Sequence, residues 1–165
     1  MKKILALVLL LLLILSIVGC SLQSNQDPQI RFYYCSSDPA YAEENGVISP
    51  ELRSGIHQEP LNKIINFYLA GPKSEDLHSP FPEGLRILEA DQNGSTMYLT
   101  VSNQLCDLTG MDLTLACACL TLTFMDLRQV QQVVITPEDG LLDGQRSITM
   151  DKNALLMQIG TTEGE

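Results

Sequence analysis

Leu69-Ala70-Gly71-Pro72, a polar link, and then Ser79-Pro80-Phe81-Pro82-Glu83-Gly84-Leu85-Arg86-Ile87-Leu88 form the stretch on which the reading of this chain turns. It reads as a stop followed by a start. Glycine accepts the left-handed conformation that closes a helix, and proline cannot continue the helical ladder. Gly71-Pro72 therefore ends a helix. Pro80 and Pro82 fix their own φ angles and keep the preceding residues out of the α region, so the link runs extended. Gly84 releases the chain into an apolar strand. The prolines and glycines are read as fixing architecture, with Phe81 as the exposed apolar candidate for a contact point.

Working outward, Leu61, Ile64, Ile65, Tyr68 and Leu69 recur at i, i+3, i+4, i+7 and i+8. That spacing predicts one apolar helix face behind Glu59-Pro60. Downstream, Asn93-Gly94 between Leu85–Asp91 and Ser95–Val101 predicts a tight hairpin with positive φ at both central residues. Met111 to Leu127 predicts a second helix, with Leu113, Cys117, Leu120, Phe124 and Leu127 as a core stripe. Leu115, Ala118, Cys119 and Leu122 make its other faces apolar too, so it is expected to be buried on more than one side. Val130–Ile135 predicts a strand. Ile30–Cys35 reads as the first strand, Val47–Gly55 as a short one confined by Pro50 to an edge, and Ser36–Asn45 as a turn-rich loop. Residues 141–159 are ambiguous, with a strand near 147–150 and a helical turn near 154–157 as the available readings. The order β(β)αββαβ predicts an α/β two-layer sandwich: a small mixed sheet with two helices on one face.

The N-terminus carries location. Met1-Lys2-Lys3 precedes an apolar run, Ile4–Leu15, that is shorter than the ~20 residues a spanning helix needs. It reads as a signal peptide over residues 1–19. Its end, Ile17-Val18-Gly19-Cys20, resembles the lipobox of bacterial lipoproteins, where a cysteine thiol is acylated and becomes the new N-terminus. More than one acyl chain gives stable anchoring. Residues 20–28 would then be a lipidated tether, 29–159 a single domain, and 160–165 a polar tail. The expected place is the extracytoplasmic face of the membrane, anchored through Cys20.

The formal charge of −10 becomes about −12 once Lys2 and Lys3 leave with the signal peptide. An acidic surface of this size excludes nucleic acid as an expected partner. Cys35, Cys106, Cys117 and Cys119 remain, an even number that permits two disulfides in an exported protein. Buried thiols are the other reading. Cys117 and Cys119 fall on roughly opposite sides of a helix and are poorly placed to bridge each other. No Cys-x-x-Cys metal spacing is present.

Asp76, His78 and Ser79 are neighbours, but a catalytic triad draws its base and orienting group from separate segments. They read as exposed loop residues. Glu43-Glu44, Glu138-Asp139 and Asp143 lack the alternating register of a calcium loop and read as solvated turns. No catalytic residues, cofactor or metal are expected, and the chain is not expected to be an enzyme.

Taken in order, several segments resemble the GerMN domain, the sporulation and spore-germination domain of Gram-positive lipoproteins. They are Ile48-Ser49-Pro50-Glu51-Leu52-Arg53, Leu69-Ala70-Gly71-Pro72, Ser79–Leu88, Tyr98–Ser102, Leu120-Thr121-Leu122-Thr123 and Val130–Ile135. The resemblance implies a fold like the ring-building motifs of secretion-type complexes, and Gly71, Pro72, Pro80, Phe81, Pro82, Glu83 and Gly84 as signature positions. It also implies a non-enzymatic envelope role, in spore formation or germination; the lipobox, short tether, compact domain and absent catalytic set point to contact with another envelope protein or a second copy. The single copy and the cysteines of the second helix depart from the family pattern. The alternative is a lipoprotein that binds a peptidoglycan fragment or a small solute. That alternative predicts a concave pocket, for which the sequence supplies no tryptophan.

Overall fold

In a computed structural model the described residues are 28–159. The signal peptide, Cys20, most of the tether and the tail lie outside them. The elements are β1 (Ile30–Ser36), α1 (Pro39–Asn45), β2 (Ile48–Arg53), α2 (Leu61–Leu69), β3 (Leu77–His78), β4 (Ile87–Asn93), β5 (Thr96–Val101), α3 (Gly110–Arg128), β6 (Gln132–Pro137), β7 (Ile148–Asp151) and α4 (Lys152–Ile159). A single-turn 3-10 segment, Asn103–Asp107, leads into α3. The architecture is a two-layer α/β sandwich.

The strands divide into two sheets, ordered β2-β1-β3 and β4-β5-β6-β7, where the sequence suggested one. Strand pairing is non-local, and the alternation of side chains does not specify it. The second sheet holds the predicted hairpin and a parallel β5–β6 pair running from Thr96↔Gln132 to Val101↔Pro137. Parallel neighbours need a long crossover, and α3 supplies it. The hairpin turn is shifted by one residue from expectation. Asn93 pairs with Thr96, so Gly94-Ser95 are the central residues. Gly94 has φ +58° while Asn93 and Ser95 keep negative φ. Glycine first with only that position inverted is the type II′ pattern.

The first sheet is antiparallel. β1 pairs with β2 from Ile30↔Arg53 to Cys35↔Ile48, and with the two-residue β3 only at Cys35↔His78 and Ser36↔Leu77. Pro50 sits on an edge strand, as its missing N–H requires. The 36–45 loop contains the short helix α1, which buries none of its residues. Its start was legible after all. Asp38 caps the Tyr41 N–H at 2.8 Å, and Pro39 occupies the first turn. An exposed helix shows no apolar period, which is why periodicity passed over it. The ambiguous 141–159 region resolves into β7 and α4.

Helix α2 buries Ile64, Ile65 and Tyr68, each side chain worth roughly 1.5–3 kcal/mol by transfer. Helix α3 buries nine residues, among them Leu113, Cys117, Leu120 and Phe124. It is long and apolar enough to cross a membrane by length and composition, yet it packs against β1 on one side and against β6 and β7 elsewhere. Its apolar faces are used inside the domain. Met111 at its start is exposed, and Leu115, Leu122 and Met125 are half-buried.

Candidate functional site

The open edge of β1 is where the two halves meet. Between Ile30 and Tyr34 this strand has β2 on one side and, among the described residues, no strand on the other. An open edge presents unpaired N–H and C=O groups. Here helices seal it with side chains. The Tyr33 N–H donates to Thr123 Oγ1 of α3 at 3.0 Å, and the Tyr33 carbonyl accepts from Tyr68 Oη of α2 at 3.0 Å. Tyr34 Oη in turn donates to the Tyr68 carbonyl at 2.7 Å. The two tyrosines thus bind each other's backbone neighbourhood reciprocally. Phe32 and Phe81 complete the cluster around Tyr68, with ring centroids 5.0 and 5.2 Å away. Burial pushes the Tyr68 phenol well above its usual range, and the Thr123 hydroxyl offsets part of that rise.

The signature stretch sits directly on this cluster. Gly71 adopts φ +93° after the last turn of α2, as its position requires. Its carbonyl accepts from Arg53 Nη2 at 3.0 Å. Arg53 also pairs with Glu51 at 2.9 Å, both side chains being nearly buried, and the Glu51 carboxylate accepts the Lys73 N–H at 3.0 Å. Strand β2 therefore grips both sides of Pro72. The Arg53 guanidinium lies 5.8 Å from the centroid of the Phe32 ring, a cation–π distance. Phe81 is not the exposed contact point expected from sequence. It is half-buried and meets Tyr68 edge-on, because the prolines on either side hold the link against α2. Pro80 and Pro82 are half-buried, whereas Glu83 and Gly84 are exposed. The Pro82 carbonyl accepts the Leu85 N–H at 3.2 Å in the turn that admits Gly84 at φ +79°.

Beyond the link, β4 carries a bulge. Ile87 pairs with Val101 and Glu89 with Thr100, which leaves Leu88 without a partner. Bulges re-aim side chains, and Leu88 is 38% exposed. It joins Leu61, Ile65, Ile87 and Ala90 along an open groove of about 280 Å³ between α2 and β4. Sequence reading passed over Leu88 because regular alternation gives no sign of a bulge. A second, more polar cleft of about 320 Å³ lies at the Ile30 end, lined by Arg31, His57, Asp126 and Gln129. His57 Nδ1 is buried there and finds no hydrogen-bond partner among the described residues.

The other candidates disperse. His78 pairs through its backbone with Cys35. Asp76 accepts from Ser74 Oγ at 3.3 Å, and Ser79 Oγ accepts the Phe81 N–H at 3.3 Å. Asp76 and Ser79 thus serve local turns, and His78 the β1–β3 pair. Among the described residues no group of three His, Cys, Asp or Glu is placed to hold a metal.

The family model for "Germane: Sporulation and spore germination" matches residues 31–143. The chain belongs to the Germane family. The match begins within β1 and ends after β6, so it takes in the signature link, the bulged hairpin and α3. The family resemblance read from the ordered segments is therefore shown. No curated protein sequence matches the chain. Among solved structures, a Clostridium perfringens protein described as a candidate lipoprotein is similar at 15% identity and a TM-score of 0.47, covering 77% of this chain and 89% of its own.

Proposed function

We propose that this Germane-family chain is a lipid-anchored, extracytoplasmic interaction module that serves spore formation or germination and performs no catalysis. The observation that carries the reading is the coupling of the Ile17-Val18-Gly19-Cys20 motif to a Germane domain beginning about ten residues later. So short a tether keeps the domain beside the membrane. The geometry favours contact through side chains over strand addition. Pro50 interrupts the β2 edge, and the exposed Glu89 and Asp91 charge the β4 edge; both devices discourage pairing with another strand. The groove around Leu88 offers an apolar floor instead, suited to an apolar side chain of an envelope protein. Mass spectrometry of the mature N-terminus tests the anchor: acylated Cys20 is expected, and an unmodified chain starting at Met1 would remove it. Recovery of partners from detergent-solubilised envelopes tests the module. Leu88→Asp is expected to lower that recovery at least tenfold, and a strict monomer that recovers nothing counts against the reading.

A second reading has one observation of its own. The unpartnered His57 Nδ1 beside Arg31 and Asp126 suits a small polar solute or a peptidoglycan fragment. Titration calorimetry with muropeptides would reveal heat abolished by His57→Ala if this cleft binds them.

A further inference from the structure

Strand β1 and helix α3 run antiparallel with their side chains in matched steps. Arg31 meets Asp126 at 3.4 Å. Two residues along the strand and three back along the helix, the Tyr33 N–H meets Thr123 Oγ1 at 3.0 Å. Two strand residues advance about 6.7 Å and four helix residues about 6 Å, so the next step brings Cys35 against Cys119. Both are buried, at 2% and 0% exposure. The pairing set by this register agrees with the acidities: hydrogen bonding with the Cys119 thiol lowers the Cys35 pKa, while burial and the Cys35 thiol raise that of Cys119. The helix comes this close because Cys119 and Thr123, the residues facing the strand, are small. Cys117 and Cys106 are not part of this step. Cys106 lies instead beside the Asp139 carbonyl, 3.7 Å away.

We propose that Cys35 and Cys119 are a disulfide site that staples β1 to α3 when the exported chain folds. The proposal rests on the reading of the chain as exported, since disulfides persist in oxidising compartments. The chemistry is thiol–disulfide exchange with an external disulfide as oxidant. The Cys35 thiolate attacks one sulfur of that disulfide and expels the other as a thiolate. The Cys119 thiolate then attacks Cys35 Sγ, forming the Cys35–Cys119 bond and releasing the second thiolate. Two protons leave the protein, and the external disulfide is reduced to two thiols. Because both cysteines are buried in the folded domain, exchange takes place before α3 docks on β1. The bond closes a loop of roughly 85 residues, and long loops gain most from a cross-link.

The test uses the full chain, purified in detergent and refolded with oxidised and reduced glutathione. Free thiols are blocked with N-ethylmaleimide and the digest is read by mass spectrometry. A linked Cys35–Cys119 peptide is expected, with Cys106 and Cys117 alkylated and a melting temperature about 10 °C higher than after reduction. Cys119→Ala should abolish the link and Cys117→Ala should leave it intact. Should Cys119→Ala fail to fold, the alkylation pattern of the unaltered chain decides alone. Alkylation of both Cys35 and Cys119 after oxidative refolding, or a link to another cysteine, overturns the proposal. The same digest reports acylation of Cys20 in chain taken from cells. Acylated Cys20 with free Cys35 and Cys119 defeats the staple alone; a staple formed in vitro beside an unprocessed N-terminus supports the staple and defeats the lipid anchor.

Discussion

The two sheets join the molecule by different means. The β4-β5-β6-β7 sheet is assembled by continuous backbone ladders, with α3 as the covalent crossover between its parallel pair. The β2-β1-β3 sheet stops short on one side, and two helices complete it with single side chains: Thr123 for an N–H, Tyr68 for a carbonyl. A ladder spreads its stability over many equivalent bonds. A sealed edge concentrates it in a few residues that have no substitutes. The first sheet should therefore be the brittle half.

The largest test of this contrast is Tyr68→Ala. It removes a buried ring, the bond to Tyr33 and the platform for Phe32 and Phe81, and should cost about 4 kcal/mol in urea denaturation. Loss of the same size from a ladder position such as Thr100→Ala would refute the asymmetry. Alkaline pH comes next. Burial pushes the Cys117 thiol from 9.0 up to about 12. A raised thiol favours the folded state fully below its unfolded value and loses that advantage as pH rises toward the folded one. From this residue alone, stability should fall by about 3 kcal/mol between pH 8 and pH 11, and Cys117→Ala should flatten the urea midpoint over that interval.

Thr123→Val keeps shape and strands the Tyr33 N–H, at an expected cost of about 2 kcal/mol. Its control is on the same helix. Thr121 is equally buried, and its hydroxyl has no partner among the described residues, so Thr121→Val should be neutral or stabilising by up to about 1 kcal/mol. Equal effects at the two threonines would show that the edge seal contributes nothing special. The smallest effect belongs to Arg31→Ala. The Arg31–Asp126 pair is largely exposed, and such pairs contribute below about 1 kcal/mol. Its loss should vanish in 1 M salt.

The same contrast explains what could be read from the sequence. The hairpin, the amphipathic α2 and the apolar α3 announce themselves through local period and turn chemistry; the hairpin and the α3 crossover frame the second sheet, and α2 seals the first. The division into two sheets depends on which edge of β1 is left open, and no local pattern carries that. The signature link was legible as architecture, and Gly71 and the prolines serve it as expected. Phe81 was misread as exposed because its cover, Tyr68, is a member of the preceding helix's own apolar face. Glu51 and Arg53 lie inside a segment whose family likeness was plain, yet their grip on Gly71 and Lys73 joins residues about twenty apart in sequence. Leu88 was hidden by a bulge that shifts register without changing residue type.

Proline at the outer strand β2 and carboxylates at the outer strand β4 have a consequence for crowding. On a two-dimensional surface, copies of a domain meet at far higher effective concentration than in free solution. A bare strand edge in that setting would zip neighbours together irreversibly. With Pro50 on β2 and Glu89 and Asp91 on β4, neighbours can collide often and still part. At these two edges crowding alone does not extend a sheet from one copy into the next.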